Sequence, residues 1–210
     1  MSRPIHFRKV IIDEEHYVKS ALTLYQSCFP LNERQPEAVV RERIGMGRAI
    51  LTVGIVGDMV TCMAITWNFS APEVQFLDYL AVDQRYRGEG LGSQFLQHLQ
   101  HNDASRYLVL EVEHPEFGDN KTERLKRISF YQKAGAVLCQ GVQYVLPPIT
   151  PGNKPVEMQL MIMPDPGQAY IREHIKAIVS NIFRNVYGRD EKDPWFQSIF
   201  PDKNVRGVSP

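Results

Sequence analysis

Asp78 is the one carboxylate in Val74–Val82, a run that is otherwise apolar nearly throughout. A buried strand carries such a group only when it is paired or put to use, because an unpaired buried charge is costly. Glu111 and Glu113 end the next apolar run, YLVLEVE, and a spacing of two puts them on one side of a strand. Three carboxylates brought together can draw a proton from an amine, directly or through water, and an acidic wall attracts a cationic amine. The structural alternative is ion pairing with Arg106, Arg124 or Arg127. A different chemistry lies between the two runs. Arg87-Gly88-Glu89-Gly90-Leu91-Gly92-Ser93 opens an amphipathic stretch, and its glycines remove three Cβ atoms where a loop enters a helix. Backbone N–H groups can approach an anion closely there, with the helix N-terminus behind them and Arg85 and Arg87 adding positive charge. The segment reads as a site for a phosphate-bearing cofactor.

Three loop types compete for that reading. A P-loop requires G-x-x-x-x-G-K-[ST], and no Gly-Lys-Ser/Thr stands here. A dinucleotide loop, G-x-G-x-x-G, is nearly matched by residues 88–93, with Glu111 at the distance of the ribose-binding acid. Ser93 replaces its third glycine, and residues 83–87 separate strand from loop where a dinucleotide loop turns straight off its strand. The third pattern is R-G-x-G-x-G, from Arg87 to Gly92. It resembles the pyrophosphate loop of the GNAT superfamily, the general-control-type N-acetyltransferases that use acetyl-CoA. RISFYQKAGA, residues 127–136, resembles that family's other signature, a helix ending in F-Y-x-K-x-G-F, and follows the loop in the required order. The resemblance covers roughly residues 4–163.

The resemblance implies a GNAT-like acyl-CoA N-acyltransferase fold, with acetyl-CoA as acyl donor. It implies transfer of the acetyl group to a primary amine by direct attack in a ternary complex. Residues 87–93 would hold the pyrophosphate on backbone amides, and the pantetheine arm would pair with the backbone of Leu80, Ala81 and Val82. Tyr131 would protonate the departing thiolate, since a phenol with a usual pKa of about 10 stays protonated at neutral pH. Asp78 falls where some members carry a catalytic histidine or acid. This chain departs from the pattern at Ala136, usually aromatic, at Arg124, where asparagine is frequent, and at Arg127, where a small residue is frequent. Either arginine could meet a cofactor phosphate or a substrate carboxylate, or be a solvated helix charge. The alternative functions are a non-catalytic acyl-CoA-binding module and an O-acyltransferase.

The elements that must position these groups follow from periodicity. Pro4 to Ile12 reads as a strand, and Asp13 caps a helix with Val18, Leu22 and Tyr25 on its apolar side. Glu37 to Ile44 reads as a short helix. Ala49 to Val56 and Met59 to Phe69 form a hairpin across Gly57-Asp58, and Val74 to Val82 is a strand buried on both faces. Leu91, Phe95, Leu96 and Leu99 stripe the loop helix. Tyr107 to Glu113 is a strand, Glu123 to Ala134 a helix, and Val137 to Val145 and Val156 to Met163 are two final strands. The order β-α-α-β-β-β-α-β-α-β-β predicts an α+β fold, a mixed, mostly antiparallel sheet with helices on both faces. The acceptor pocket is expected from Phe29–Arg48, Trp67–Ser70 and Leu146–Pro155.

Residues 1–163 read as one domain and 164–210 as a helical extension packing on it. After the capping pair Asp165-Pro166, Ile171, Ile175, Ile178, Val179, Ile182 and Val186 make one apolar stripe, stopped by Gly188. That stripe packs on the chain's own core or, alternatively, forms a homodimer interface. Trp195-Phe196 and Ile199-Phe200 read either as anchors for the polar tail or as an exposed hydrophobic lure. With 210 residues, 43% of them hydrophobic, the chain can bury one sizeable core. Lys+Arg 24 against Asp+Glu 24 leaves no basic excess for nucleic acid or an anionic membrane. Cys28, Cys62 and Cys139 lack C-x-x-C spacing and suit a reducing compartment. No h-region and no spanning apolar run is present, so the expectation is a cytoplasmic protein. The histidines have no metal spacing and no metal is expected; His98 and His101 fall on the polar side of the loop helix, and His114 is the histidine nearest the site.

Overall fold

A computed structural model describes residues 4–31, 33–102, 107–149, 152–163 and 172–201. The first half runs β1 (Ile5–Val10), α1 (Glu15–Cys28), α2 (Glu37–Gly45), β2 (Ile50–Val56), β3 (Met59–Ser70), β4 (Glu73–Val82) and α3 (Leu91–Asn102). The second runs β5 (Tyr107–Glu113), α4 (Lys121–Lys133), β6 (Val137–Leu138), β7 (Tyr144–Leu146), β8 (Val156–Met163), α5 (Arg172–Asn185) and α6 (Pro194–Ile199). The eight strands form one sheet in the order β1-β2-β3-β4-β5-β8-β6, with β7 also on β8. Every pairing is antiparallel except β4 with β5, which the α3 crossover joins in parallel. This is the mixed α+β architecture expected from the element order.

The helices divide between the two faces. Phe95, Leu96 and Leu99 of α3 and Ile128 and Tyr131 of α4 cluster with Leu77, Leu110, Val112 and Met161 of the sheet. The larger core on the other face gathers Val18, Leu22 and Tyr25 of α1, Val40 and Ile44 of α2, and Trp67, Phe76 and Val109 of the sheet. Ile175, Ile178, Val179, Ile182, Phe183 and Val186 of α5 belong to this core, as do Phe196 and Ile199 of α6. Each such side chain contributes about 2 kcal/mol through burial, so α5 is a structural wall of the molecule. Its expected cap at Asp165-Pro166 and the Ile171 end of its stripe lie outside the described residues, as does Arg106.

Two expectations are corrected. The strand read over Val137–Val145 is broken: β6 pairs with Leu138 opposite Met161, β7 with Tyr144 opposite Met158, and residues 139–143 leave the sheet between them. Gly141, with φ +72°, permits that excursion. His98 is not on a purely polar side of α3. Its ring lies 4.7 Å from that of Phe7 in β1, and Phe7 stacks on Phe95 at 4.8 Å.

Candidate active site

Strand register creates the cleft. β4 and β5 pair from Val74 opposite Tyr107 to Leu77 opposite Leu110, and there the parallel ladder stops. Beyond it β5 continues along β8 as far as Glu113 opposite Met158, while β4 continues along β3 as far as Val82 opposite Cys62. The strands therefore splay at Asp78 and Glu111. Asp78 is the residue that causes it on the β4 side. Ile65 of β3 stands opposite Tyr79 and Thr66 opposite Leu77, so Asp78 is the extra residue of a β-bulge. A bulge bends its strand and re-aims one side chain, which is how a central strand delivers a carboxylate to a cleft.

Asp78 accepts a hydrogen bond from the Trp67 indole, Nε1 to Oδ2 at 3.0 Å. Burial pushes its carboxyl up to about 6, while the Trp67 bond and the Arg43 charge pull the other way. Arg43 of α2 lies over the Trp67 ring at 5.4 Å and donates to the carbonyl of Val186 at 2.7 Å, so it ties α2, the Trp67–Asp78 pair and the end of α5 together. Glu111 accepts the Tyr144 hydroxyl on Oε1 and the Tyr187 hydroxyl on Oε2, the latter at 2.6 Å. Burial raises Glu111 to about 7; the two tyrosine bonds oppose this and the Asp78 charge adds to it. Both phenols are themselves held well above their usual range, by burial first and by the Glu111 charge second.

Glu113 serves a different neighbourhood. Its carboxylate binds Arg124 at 2.8 Å and Arg127 at 2.6 Å, with only 12% of the side chain exposed. The alternative given above for Glu113, an ion pair with α4, is the arrangement present. Arg124 also donates to the carbonyl of His114 at 3.2 Å, so it is a clamp between α4 and the end of β5 and not a solvated charge. Burial and the Glu113 charge raise Glu33, which the two arginines lower, placing the α1–α2 connection at this same end.

The loop between β4 and α3 is a turn of 3-10 helix, Gln84–Tyr86, followed by residues 87–90. Asp83 caps that turn and pairs with Arg85 at 2.7 Å. Gly88 and Gly90 have φ +86° and +80° with open space where a Cβ would stand, so conformation demands them. Gly92 is different: a Cβ there would come within 3.1 Å of the Phe130 ring, so packing of α3 against α4 demands it. Among the described residues the backbone N–H groups of residues 88–93 find no acceptor, and the first helical bond runs from Gln94 to the Gly90 carbonyl at 3.1 Å. Leu91 is buried beneath the row, whereas Glu89 and Ser93 are exposed. The β5-facing edge of Leu80, Ala81 and Val82 carries no strand. The carbonyl of Val82 accepts from Arg87 Nε at 3.2 Å, and Arg87 Nη2 reaches Cys28 at 3.7 Å, so Arg87 folds back along β4.

Tyr131 lies on the α3–α4 side of the splay. It shares a hydrophobic cluster with Leu110 and Val112 of β5, against which Leu80 and Val82 of β4 also pack. Its hydroxyl makes no hydrogen bond among the described residues, and burial lifts it to about 12 against the pull of the Arg127 charge. Gly135, φ +97°, ends the helix behind it, with Ala136 N–H returning to the Tyr131 carbonyl at 3.0 Å. Sequence reasoning singled out Asp78 and Glu111 but missed the tyrosines that hold Glu111. Tyr144 looked like one more strand residue, and Tyr187 lies one residue past the α5 stripe; an aromatic hydroxyl just before a helix-ending glycine was the available signal.

The family model described as an acetyltransferase (GNAT) domain matches residues 42–135, a span holding the bulge, the splay, the glycine loop and Tyr131. A Bacteroides thetaiotaomicron protein assigned to the GNAT family of acetyltransferases superposes with TM-score 0.76 at 25% identity, over 87% of this chain and 98% of that one. The match and the superposition together identify a GNAT-type acetyltransferase fold. Two further acetyltransferase structures share the fold. The ribosomal-protein-S18-alanine N-acetyltransferase of Escherichia coli has TM-score 0.57 at 20% identity, covering 80% of this chain and 100% of that one. An aminoglycoside 6'-N-acetyltransferase complexed with coenzyme A has TM-score 0.58 at 16% identity, covering 77% and 99%. No curated relative matches the chain. Among the described residues no group of three or more His, Cys, Asp or Glu is placed to hold a metal, and no helix is long and apolar enough to cross a membrane.

Proposed function

We propose that this protein transfers the acetyl group of acetyl-CoA to a primary amine by direct attack in a ternary complex. The observation that carries the reading is the splay itself: unpaired backbone on one side, and on the other two carboxylates raised to about 6 and about 7. The residues present fit the donor. Free amides of residues 88–93 suit a pyrophosphate at a helix start, and the open edge of Leu80–Val82 suits an extended amide-bearing arm. When bound, acetyl-CoA supplies an activated acyl carbon as a thioester.

The chain's own groups do the rest. Asp78 and Glu111 accept the proton that an ammonium must lose before its nitrogen can attack, and a base with a pKa near the working pH is suited to that. The nitrogen forms its bond to the acyl carbon as the carbon–sulfur bond breaks, and the electron pair leaves with sulfur. Tyr131, protonated because burial raises it, gives its proton to that sulfur, and the second proton, shed by the acylated nitrogen, returns to the Tyr131 oxygen through water. Glu113 holds Arg124 and Arg127 in place. The test is release of CoA thiol from acetyl-CoA in the presence of amine classes. Wild type should turn over at least one class, and Tyr131→Phe should lower kcat about 100-fold with CoA affinity unchanged. CoA binding without turnover of any amine would leave a non-catalytic binder, and equal rates in Tyr131→Phe would pass the proton to water.

A further inference from the structure

Arg34, in the connection between α1 and α2, is half-buried and carries one guanidinium nitrogen that the fold encloses and leaves unpartnered. Its Nη1 is shut off from solvent and has no hydrogen-bond partner, and its side chain makes no ion pair among the described residues. The other arginines near this end are all engaged. Arg41 is held by Glu15 and Glu37, Arg43 by the Val186 carbonyl, and Arg124 and Arg127 by Glu113. A buried charged donor without an acceptor is destabilising, and a fold keeps one where a ligand completes it.

Arg34 lines a pocket of about 490 Å³ together with Tyr25, Gln26, Leu31, Gln35, Glu37 and Asn153, a volume that suits a small molecule. Glu37, the acid in that lining, is already bound by Arg41 and by Gln26 at 2.6 Å. The chain on either side of Arg34 is tied to the carboxylate site. Tyr79, next to Asp78 in β4, donates to the Glu33 carbonyl at 3.3 Å, and Tyr25 donates to the Gln35 carbonyl at 3.0 Å. The two rings meet edge to face at 4.8 Å. The Tyr25 hydroxyl, raised to about 12 chiefly by burial, feels the Asp78 charge from one side and the Arg34 charge from the other. The Tyr25–Tyr79 pair thus stands between the Arg34 pocket on one side and Asp78 on the other.

We infer that the acceptor is an amine that also bears a carboxylate, its carboxylate held by Arg34 and its amine presented to Asp78 and Glu111. A planar carboxylate meets a guanidinium through two parallel hydrogen bonds, which a neutral amide cannot reproduce. The inference rests on the acetyltransferase reading, and two separate measurements keep their failures apart. The first follows CoA thiol release with a panel of L-amino acids and the same amino acids as carboxamides, for wild type, Arg34→Gln and Arg34→Lys. Wild type should prefer the acids by about 100-fold in kcat/KM, mostly through KM. Arg34→Gln should erase the preference without slowing the amides, and Arg34→Lys should keep part of it. Amides accepted as well as acids, or a preference that survives in Arg34→Gln, would overturn the inference. The second measurement is calorimetric binding of the same acids to wild type and Arg34→Gln without acetyl-CoA. Acids that bind wild type and not the variant support the anion site even where nothing turns over, an outcome that counts against the transferase reading alone. Acids that neither bind nor turn over overturn the site.

Discussion

The loop at residues 84–93 and the pocket around Asp78 and Glu111 lie on two sides of one strand splay, and they are made of different material. The loop side is backbone: unpaired N–H groups, two glycines with positive φ, and a free strand edge. The pocket side is side chains drawn from four strands and the segment after α5, with Asp78 and Trp67 from β4 and β3, Glu111 from β5, Tyr144 from β7 and Tyr187 just past α5. A backbone site binds one constant feature of a ligand, because every chain has the same amides. A side-chain site can be retuned residue by residue.

Exchanging glycines on the loop side gives the largest expected effect. Gly90→Val forces a β-branched residue into φ +80° without a clash, so the amides should be displaced while the core stays intact. CoA should then no longer raise Tm, whereas Tm without CoA should stay within a few degrees of wild type. Gly92→Val should do the reverse, because its Cβ meets Phe130 at 3.1 Å: Tm falls even without CoA. Identical behaviour of the two variants would erase the distinction between a conformational and a packing glycine.

Tyr187→Phe probes the pocket side with a smaller change. The Tyr187 bond lowers the Glu111 pKa, so removing it should move the acid limb of the rate profile to higher pH. The loss should be about tenfold near pH 6.5 and small at pH 8. A uniform loss at every pH would make Tyr187 mere packing.

Smaller still is a stability effect at Glu111. Its folded pKa, about 7, lies above the usual 4.5, so the protonated form is favoured by folding. The stability this contributes is complete below about pH 4.5 and is lost as pH rises through 7. Glu111→Gln should remove that slope and be more stable than wild type at pH 8, on the order of 1–3 kcal/mol. Parallel curves of stability against pH for the two proteins would show that Glu111 is not strained by its burial.

The same division governed what could be read from the amino-acid order. Glycine spacing is local, so the loop, the Gly57 hairpin and the end of α4 at Gly135 were all legible. So was the order of elements along the chain up to β5, because apolar runs and their turns follow one another. The bulge at Asp78 was not, since it is a property of register between β3 and β4 and leaves no mark in either strand alone. The partners of Glu111 were hidden for the same reason: Tyr187 is far along the chain and reaches the pocket only because the α5 stripe docks on the sheet. The excursion at residues 139–143 was concealed by apolar residues that continue through it, and Gly141 was its one sign.

The central claim is that Asp78 and Glu111 together are the base, and the pH dependence of kcat/KM tests it most directly. Measured at saturating acetyl-CoA for wild type, Asp78→Asn, Glu111→Gln and the double variant, the wild-type profile should rise through pH 6–7 as the pair loses its proton. Each single variant should shift that limb, and the double variant should lack it, with kcat/KM about 100-fold lower at pH 7.5. A limb of unchanged position and height in all four proteins would show that the two carboxylates only scaffold the cleft.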